Sequence, residues 1–328
     1  MKKTTQLIIG IIALIVILGS ALYLIGDSKP AVTGKSVSQD MTPVKIGYRN
    51  HLLFLPAYVA QENNYYAEQG LQVELVSFDS TNQLVEAVLT GDIDAAVGGV
   101  NAIVPLTIEG KAPGSLKIFN LGFLTDDFDA LLVSADSDIR SVQDLEGKTI
   151  SSLPGIAAKI WMDMMLDKEG LTGKVNVIQT ADSQQLNALS SGNADAIFVL
   201  EPLATIGKKK GISRTLVKSP ISTYFRTDLI FETSVFSTSF VEKRPETTRK
   251  IVAAVDKAIL FIDDNPDIAR KYYSEFTPVE DSMEDELPVA RYTPSYAMDA
   301  EEFQDVADLL FDTGLIDEKV GVSAILLK

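Results

Sequence analysis

Short apolar runs alternate with longer segments of helical periodicity along most of the chain. Val44–Tyr48 alternates apolar and polar residues like a strand. Residues 56–69 (PAYVAQENNYYAEQ) predict a helix that begins at Pro56 and stops at Gly70. Similar segments continue to Glu201, whereas the chain from Pro245 onward is mainly helical, acidic and amphipathic. Strands that alternate with helices in this way predict an α/β fold built on mostly parallel sheets.

One helix-strand unit occurs twice in the sequence. Residues 84–97 read LVEAVLTGDIDAAV and residues 185–198 read QLNALSSGNADAIF, so equivalent positions are 101 residues apart. A glycine ends the helix in both copies (Gly91 and Gly192), and Asp-Ala opens the strand. Because one α/β unit is used twice, we expect two similar lobes with a cleft between them.

The crossings between the two lobes are predicted in two stretches of extended character, residues 119–133 and 224–236. On this interpretation the first lobe consists of residues 43–124 plus 235–328, and the second lobe of residues 125–234. The second lobe is therefore predicted as an insertion within the first.

The first 26 residues have the pattern of a membrane anchor. Two lysines precede an apolar run from Leu7 to Ile25, whose nineteen residues would form a helix about 28 Å long, close to the thickness of a bilayer core. The lysines predict that the short tail lies inside the cell and the rest of the chain outside. A cleaved signal peptide, which would leave a secreted protein, is the alternative. Residues 27–42 are small and polar and predict a flexible linker.

Charge and cysteine content exclude several functional classes. The chain has 29 Lys and Arg against 45 Asp and Glu, a net charge of -16, which would repel nucleic acid and anionic lipid. It has no cysteine, which excludes disulfides, thiol nucleophiles and lipid attachment through cysteine. The single histidine, His51, cannot form a histidine-rich metal site, and we expect no metal or other cofactor. Because Ser-His-Asp, Walker A and GxGxxG patterns are absent, we expect no enzymatic activity.

Further segments occur in a characteristic order between about residues 44 and 318. They are IGY, LPAYVAQENNYYAEQGLQVEL, QLVEAVLTGDIDAAVGG, DLEGKTI, QQLNALSSGNADAIFVLEP and DLLFDTGLI. In this order they resemble the extracytoplasmic solute-binding proteins of ABC importers, of the nitrate/sulfonate/taurine family and the related thiamine-pyrimidine-precursor binders. The resemblance implies a two-lobed fold of the periplasmic-binding-protein type II class, which closes around a small-molecule ligand and docks on a permease with its ATPase. The lipid-attachment cysteine of common bacterial members is missing here, and the predicted anchor would replace it.

In open parallel sheets, ligands bind beyond the carboxyl ends of the strands, where helices begin. The chain has four such junctions, two in each predicted lobe, and these supply the candidate ligand-binding residues. They are Arg49, Asn50, His51, Gly99, Val100, Asn101, Ser151, Ser152, Pro154 and Glu201. Tyr224, which precedes the return crossing, is a further candidate as an aromatic wall of the cleft.

Most of these candidates also have a purely structural interpretation. Gly99 would allow close approach of the backbone, and Asn101 would either cap a helix or donate to the ligand. Ser151 and Ser152 would present hydroxyl groups to a polar head group or cap the next helix. The carboxylate of Glu201 would accept hydrogen bonds from amino or ring N–H groups, or stabilise a helix start.

For the aromatic residues and the single histidine, the sequence likewise does not decide between ligand contact and a structural role. His51 lies between Asn50 and an apolar run, where it would either contact the ligand or serve as a structural polar residue. Tyr224 would either line the cleft or pack in the core, and Trp161 is interpreted as part of a helix core.

These features together predict a membrane-tethered receptor that traps a small organic solute outside the cell and delivers it to an ABC permease. The helix starts, serines and glycines suit a sulfonate, nitrate or another oxyanion, whereas Glu201 and the acidic cluster at residues 126–129 suit a zwitterion or a heteroaromatic ring. A ligand-binding sensor that works with a separate signalling partner is one alternative. A pyrimidine-forming enzyme of the related yeast type is another, but the single histidine and the export segment argue against it.

Overall fold

The computed structural model describes residues 41–327. The predicted anchor (residues 1–26) and all but the last two residues of the predicted linker (27–42) lie outside the described residues. Within the described range, none of the helices combines the length and apolarity needed to span a bilayer.

The strands of the described residues form two sheets. In chain order they are β1 (Thr42–Tyr48), β2 (Leu71–Ser77), β3 (Ala95–Asn101), β4 (Leu116–Leu124), β5 (Asp129–Ser134), β6 (Thr149–Ser152), β7 (Asn176–Gln179), β8 (Ala196–Leu200), β9 (Ser213–Lys218), β10 (Leu229–Ser237) and β11 (Arg291–Thr293). The first sheet has the order β11-β4-β10-β3-β1-β2, and the second has the order β7-β6-β8-β5-β9.

Helices connect most of these strands and cover the sheets. In chain order they are α1 (Leu55–Glu62), α2 (Tyr65–Glu68), α3 (Thr81–Thr90), α4 (Ile103–Lys111), α5 (Ile156–Lys168), α6 (Asp182–Ser190), α7 (Leu203–Lys209), α8 (Pro220–Tyr224), α9 (Thr238–Lys243), α10 (Pro245–Asp264), α11 (Pro266–Ala269), α12 (Tyr273–Phe276) and α13 (Ala300–Asp312). Short 3-10 turns occur as well, including Leu52–Phe54, which leads into α1.

The two sheets share one arrangement, and the prediction of two similar lobes is confirmed. Strands β2, β1 and β3 are mutually parallel in the first sheet, as are β7, β6 and β8 in the second. The repeated sequence unit forms α3 and β3 in the first lobe and α6 and β8 in the second. Gly91 and Gly192 both have positive φ values, +83° and +75°, which a residue without a side chain adopts at a helix end without strain.

The prediction of mostly parallel sheets is wrong. Five of the nine strand pairs in the described part of the chain are antiparallel. The reason lies in the strands next to the crossings: β10 runs antiparallel to β3, and β5 runs antiparallel to β8. A strand that is entered from the other sheet is not joined to its new neighbour by the strand-helix-strand connection that parallel pairing requires.

The return crossing also differs from the prediction, which places a lobe boundary between residues 234 and 235. Residues 229–237 form one continuous strand, β10, which is buried along its whole length and pairs with β4 from end to end. Splitting it would expose a row of apolar side chains and unpaired backbone groups. The structure therefore places the return crossing before Leu229.

Two aspartates hold the central strands of each lobe together in the same way. The carboxylate of Asp94 accepts a hydrogen bond from the amide of Lys45 in β1 (2.8 Å), and that of Asp195 accepts one from the amide of Thr149 in β6 (2.9 Å). The amides of the two aspartates donate in return to the carbonyls of Lys45 (2.9 Å) and Thr149 (2.8 Å). The repeated Asp thus joins the start of β3 to β1 in the first lobe and the start of β8 to β6 in the second.

Each of these two aspartates also has a cation beside it, but the two contacts differ in distance and burial. Arg244, at the start of α10, binds Asp94 at 2.9 Å, and the Asp94 side chain is 20% exposed. Lys148 lies 3.7 Å from Asp195, whose side chain is 38% exposed. The Asp94 site is therefore the better buried and better bonded of the two.

Substitution of these aspartates tests their role. We expect Asp94→Ala to lower the free energy of unfolding by about 2 kcal/mol and Asp195→Ala by about 1 kcal/mol, because each loses charge-assisted hydrogen bonds and Asp94 has more of them. Urea unfolding at neutral pH measures both values. Asp92→Ala, at an exposed residue, is the control and should change stability by less than about 0.5 kcal/mol. Equal losses in all three variants would contradict the assignment.

Candidate ligand-binding site

The loop after β1 is built around the buried Tyr58 of α1. Its hydroxyl donates to the carbonyl of Arg49 (2.6 Å) and accepts from the amide of His51 (3.3 Å). The ring of Tyr58 stacks on Phe276, with centroids 4.4 Å apart and planes 3° from parallel. This hydrogen-bonded aromatic pair fixes where the loop presents its side chains. Within the loop, Asn50 is exposed and its side-chain oxygen accepts from the hydroxyl of Ser77 (3.1 Å).

His51 caps the 3-10 turn that follows it. Its Nδ1 accepts from the amide of Leu53 at 3.4 Å, so that nitrogen carries no proton. Burial, assisted by the positive charge of Arg49, lowers the pKa of His51 to about 3. His51 therefore has a structural role as the cap of this turn, one of the two roles that the sequence allows. Its ring is neutral at physiological pH.

A prediction follows for the single histidine. Because its pKa is about 3 in the folded protein, its ring proton signal should not titrate between pH 8 and pH 5. The unfolded chain binds this proton with a pKa of about 6.5, so the histidine lowers stability as the pH falls from about 6.5 towards 3. Nuclear magnetic resonance of the one histidine gives an unambiguous readout. A midpoint near pH 6.5 would disprove the buried, capped state.

The glycines within β3 allow close packing. Gly99 has φ +45°, and a Cβ atom there would lie 2.1 Å from the ring of Phe54. Val100 is fully buried, and Asn101 accepts from the amide of Ile103 (3.0 Å) with its side-chain oxygen at the start of α4. The backbone approach predicted at Gly99 is made to Phe54, in the 3-10 turn that leads into α1. Asn101 takes the capping role.

Glu232 of β10 lies behind this segment and was not singled out from the sequence. It is 2% exposed, and its carboxyl group accepts a hydrogen bond from the amide of Gly99. Its Oε2 has no hydrogen-bond partner within residues 41–327. Burial raises the pKa of Glu232 well above its usual range, against the opposing effects of the Gly99 amide and Arg49.

The raised pKa of Glu232 leads to a pH prediction with a defined sign. Between its unfolded pKa near 4.5 and its raised folded pKa, the folded protein binds the extra proton, so the free energy of unfolding falls as the pH rises. Glu232→Gln keeps an acceptor for Gly99 and removes this loss. We expect the variant to be more stable than the parent at pH 7, with the difference shrinking towards pH 4.5. Thermal unfolding across this range measures it, and a less stable variant at pH 7 would show that Glu232 is ionised.

The second lobe presents its candidates at the carboxyl end of β6. The hydroxyl of Ser151 donates to that of Thr180 (2.7 Å), and the side-chain amide of Gln185 donates to the carbonyls of Ser152 (2.8 Å) and Thr180 (3.0 Å). Ser152 is fully buried, yet its hydroxyl has no partner in the described part of the chain. Pro154 is exposed in the loop before α5.

Glu201 holds the start of α7. Its carboxylate accepts from both the amide (2.9 Å) and the hydroxyl (3.0 Å) of Thr205, and it is 4% exposed. Burial raises the pKa of Glu201, whereas the two bonds from Thr205 and the nearby Lys208 oppose this shift. The helix-start role is thus the one that the structure shows.

Tyr224 is not brought together with the other candidates. Its hydroxyl donates to Glu169 at 2.6 Å. Glu169 follows the thirteen residues of α5, which places it about 20 Å along the helix from the serine loop. Burial is the main cause of the raised pKa of Tyr224, and the contact with Glu169 adds to it.

Arg49 connects the two lobes and lies between the repeated helices. Its Nη1 lies 3.4 Å from the hydroxyl of Thr81, the first residue of α3, and its Nη2 lies 3.9 Å from the carboxylate of Asp182, the first residue of α6. Thr81 and Asp182 are also 101 residues apart, each three residues before its copy of the repeat. Asp182, Thr180 and Gln185 were not among the candidates, although the repeat itself points to the two helix starts.

Trp161 of α5 makes a second contact between the lobes. It is 5% exposed, and its ring lies 6.4 Å from that of Phe198 in β8 and 5.4 Å from that of Phe231 in β10. Its burial agrees with the interpretation as helix core. The contact with Phe231 belongs to the other sheet, which the sequence pattern does not reveal.

Comparison with solved structures defines the class of fold. The chain is similar to the periplasmic aliphatic sulphonate binding protein SsuA of Escherichia coli (TM-score 0.69, 18% identity, 87% of this chain and 92% of that chain). It is equally similar to the alkanesulfonate-binding protein SsuA of Xanthomonas axonopodis pv. citri bound to MOPS (TM-score 0.69, 19% identity, 88% and 99%). A Candida albicans protein described as having the generic periplasmic binding protein structural fold also matches (TM-score 0.67, 14% identity, 88% and 97%). The fold is the two-lobed periplasmic-binding-protein fold.

The sequence comparisons then give the family. A model described as NMT1/THI5 like matches residues 52–269, and the chain belongs to that family, as its resemblance predicts. It is 23% identical to a Bacillus subtilis (strain 168) protein provisionally named as an aliphatic sulfonates-binding protein, over 94% of this chain and 92% of the relative. It is also 23% identical to the 4-amino-5-hydroxymethyl-2-methylpyrimidine phosphate synthase THI13 of Saccharomyces cerevisiae, over 74% and 72%.

Proposed function

We propose that this protein is the extracytoplasmic substrate-binding component of an ABC importer and that it binds a small organic solute between its lobes. The observation that carries the proposal is the position of Arg49. This residue of the first lobe reaches the first residues of α3 and α6, one helix from each lobe. Two helix starts and a guanidinium that meet at one place suit the polar group of a ligand.

Binding without chemical conversion is the function that these side chains support. His51, Asn101 and Glu201, which have the functional groups of a catalytic site, each cap a helix or turn. The Bacillus, Escherichia and Xanthomonas proteins named above as binders of sulfonates support a solute of that kind. We therefore infer that the protein captures its ligand unchanged and passes it to a permease and ATPase.

The membrane tether is part of the same proposal and rests on the sequence of residues 1–26. An apolar helix there would keep the binding lobes next to the permease on the outer face of the membrane. Ligand binding would bring the lobes together by a hinge motion at the two crossings, residues 125–128 and 219–228.

A thermal-shift screen of the full-length protein tests this function. Candidate ligands are taurine, alkanesulfonates, nitrate, bicarbonate, pyrimidines and riboflavin. A true ligand at about 100 times its Kd should raise the Tm by about 5 °C, because it binds only the folded state. The same ligand should reduce the radius of gyration in small-angle X-ray scattering as the lobes close.

Arg49→Ala should weaken binding of that ligand at least about tenfold without loss of fold, since it removes the residue that joins the two helix starts. Arg249→Ala, at an exposed position of α10, is the matched control and should bind normally. Failure of every solute to raise the Tm, or equal binding by the Arg49 variant, would refute the proposal.

A further inference from the structure

We propose that two ion pairs between the lobes form a clasp that stabilises the arrangement of the lobes seen here, so that opening the cleft requires both pairs to break. The cations of the clasp are Lys209 and Lys210 of the second lobe. Its anions are Glu286 and Glu280 of the first lobe. The inference goes beyond the proposed function, because it concerns the motion of the lobes and not the identity of a solute.

The cations of the clasp lie at the end of α7, which follows β8 of the second sheet. Three consecutive lysines, Lys208–Lys210, occur here, and all three are exposed. Cations at the end of a helix are favoured by the helix dipole, which gives the lysines a structural role within the second lobe. Lys209 and Lys210 each have an acidic partner as well, and both partners belong to the other lobe.

The anions of the clasp belong to a segment that is fixed to the first lobe. This acidic segment, residues 280–286 (EDSMEDE), lies between α12 and β11. Phe276 of α12 stacks on Tyr58, and β11 pairs with β4 of the first sheet. Met283, within the segment, is buried. The acidic segment is therefore expected to move with the first lobe.

The carboxylates of the acidic segment divide between the two lobes. Lys271 of the first lobe binds Asp285 at 2.7 Å and lies 3.7 Å from Glu284. Glu280 and Glu286, at the two ends of the segment, have their partners in the second lobe. The contact between the lobes is therefore made by particular carboxylates and not by the acidic segment as a whole.

Both pairs of the clasp are exposed. Glu286 forms a direct ion pair with Lys209, and Nζ of Lys210 lies 3.9 Å from Oε1 of Glu280. A single exposed ion pair contributes little to stability. Two pairs that join the same two bodies must break together when the bodies separate, so their contributions add. Because the pairs are exposed, salt should weaken them.

The clasp is formed while the cleft is bridged. Arg49 of the first lobe lies 3.9 Å from Asp182 of the second in the same arrangement. The net charge of -16 favours repulsion between the lobes, whereas the clasp sets cations of one lobe against anions of the other. The clasp thus raises the population of the bridged arrangement before a ligand binds. A ligand that binds this arrangement then has a smaller conformational cost to overcome.

Distances between spin labels test the clasp in the full-length protein without ligand. The chain has no cysteine, so Glu86→Cys and Asn187→Cys introduce two unique thiols for labelling. These residues are exposed, lie 101 residues apart, and occupy equivalent places on α3 and α6, one in each lobe. Double electron-electron resonance then gives the distribution of distances between the lobes.

Reversal of the two cations should open the cleft. We expect Lys209→Glu combined with Lys210→Glu to lower the ratio of short to long distances about fivefold at low ionic strength. In the parent, an increase from about 20 mM to about 1 M KCl should shift the distribution in the same direction, because salt screens exposed charges. Adding Glu280→Lys and Glu286→Lys to the reversed variant restores both pairs with opposite polarity and should recover the distribution of the parent.

Lys111→Glu combined with Lys174→Glu is the matched control, because it makes the same change in charge. These lysines form exposed ion pairs of similar length, 3.7 Å with Asp317 and 4.0 Å with Glu146, and each pair lies within one lobe. The control should keep the distribution of the parent. Circular dichroism and the Tm show whether each variant is folded, and the salt titration of the parent needs no substitution in the clasp.

Three results would overturn the clasp. The first is a distribution that neither charge reversal nor salt changes. The second is a shift to shorter distances, which would show that the pairs keep the lobes apart. The third is failure of the fourfold charge exchange to recover the parent distribution, which would show that the pairing itself is not the cause. A protein that shows the expected shifts but binds no solute of the thermal-shift screen would retain the clasp and lose the proposed function.

Discussion

The candidate site depends on the register of the central strands, which an aspartate fixes in each lobe. Asp94 accepts from the backbone of β1 and donates back to it, and Asp195 does the same with β6, so that β3 is aligned with β1 and β8 with β6. The carboxyl ends of these strands then lie at the same edge of their sheet. Ser152 ends β6 and the loop that carries Arg49 follows β1, so a shift of one residue in the register would turn these residues to the opposite face of the sheet.

Local sequence patterns predict much of this arrangement. The repeat of residues 84–97 and 185–198 predicts two similar lobes, and its glycines end the helices where the structure ends them. Periodicity also predicts the strand-helix junctions at which the candidate residues lie. These features are local because a helix end or a buried strand is set by a few neighbouring residues.

Contacts between residues that are distant in the sequence cannot be predicted from local patterns. The antiparallel direction of β10 is set by pairing with β4 more than a hundred residues earlier, and nothing in the residues of β10 encodes it. Tyr58 looks like one more apolar helix residue, yet its hydroxyl fixes the loop at Arg49. Glu232 and Asp182 gain their roles only from side chains that the fold brings to them. The contact of the Tyr224 hydroxyl with Glu169 is likewise made only by the fold.

Several sequence candidates have a structural role next to the candidate site. The side chains of His51, Asn101 and Glu201 accept hydrogen bonds from backbone amides at the start of a turn or helix. These bonds make the helix and turn starts rigid. A rigid helix start presents its remaining amides in a fixed direction, with little entropy left to lose on binding. The polar residues at the strand ends thus divide into those that shape the site and those, such as Arg49, that remain available to a solute.

The packing of Trp161 on Phe231 has a practical consequence. The chain contains a single tryptophan, and that indole lies where an element of one sheet meets an element of the other. Any change in the angle between the halves alters the surroundings of this one fluorophore. Its emission is therefore a built-in, label-free signal of opening and closing, which stopped-flow instruments can follow in real time.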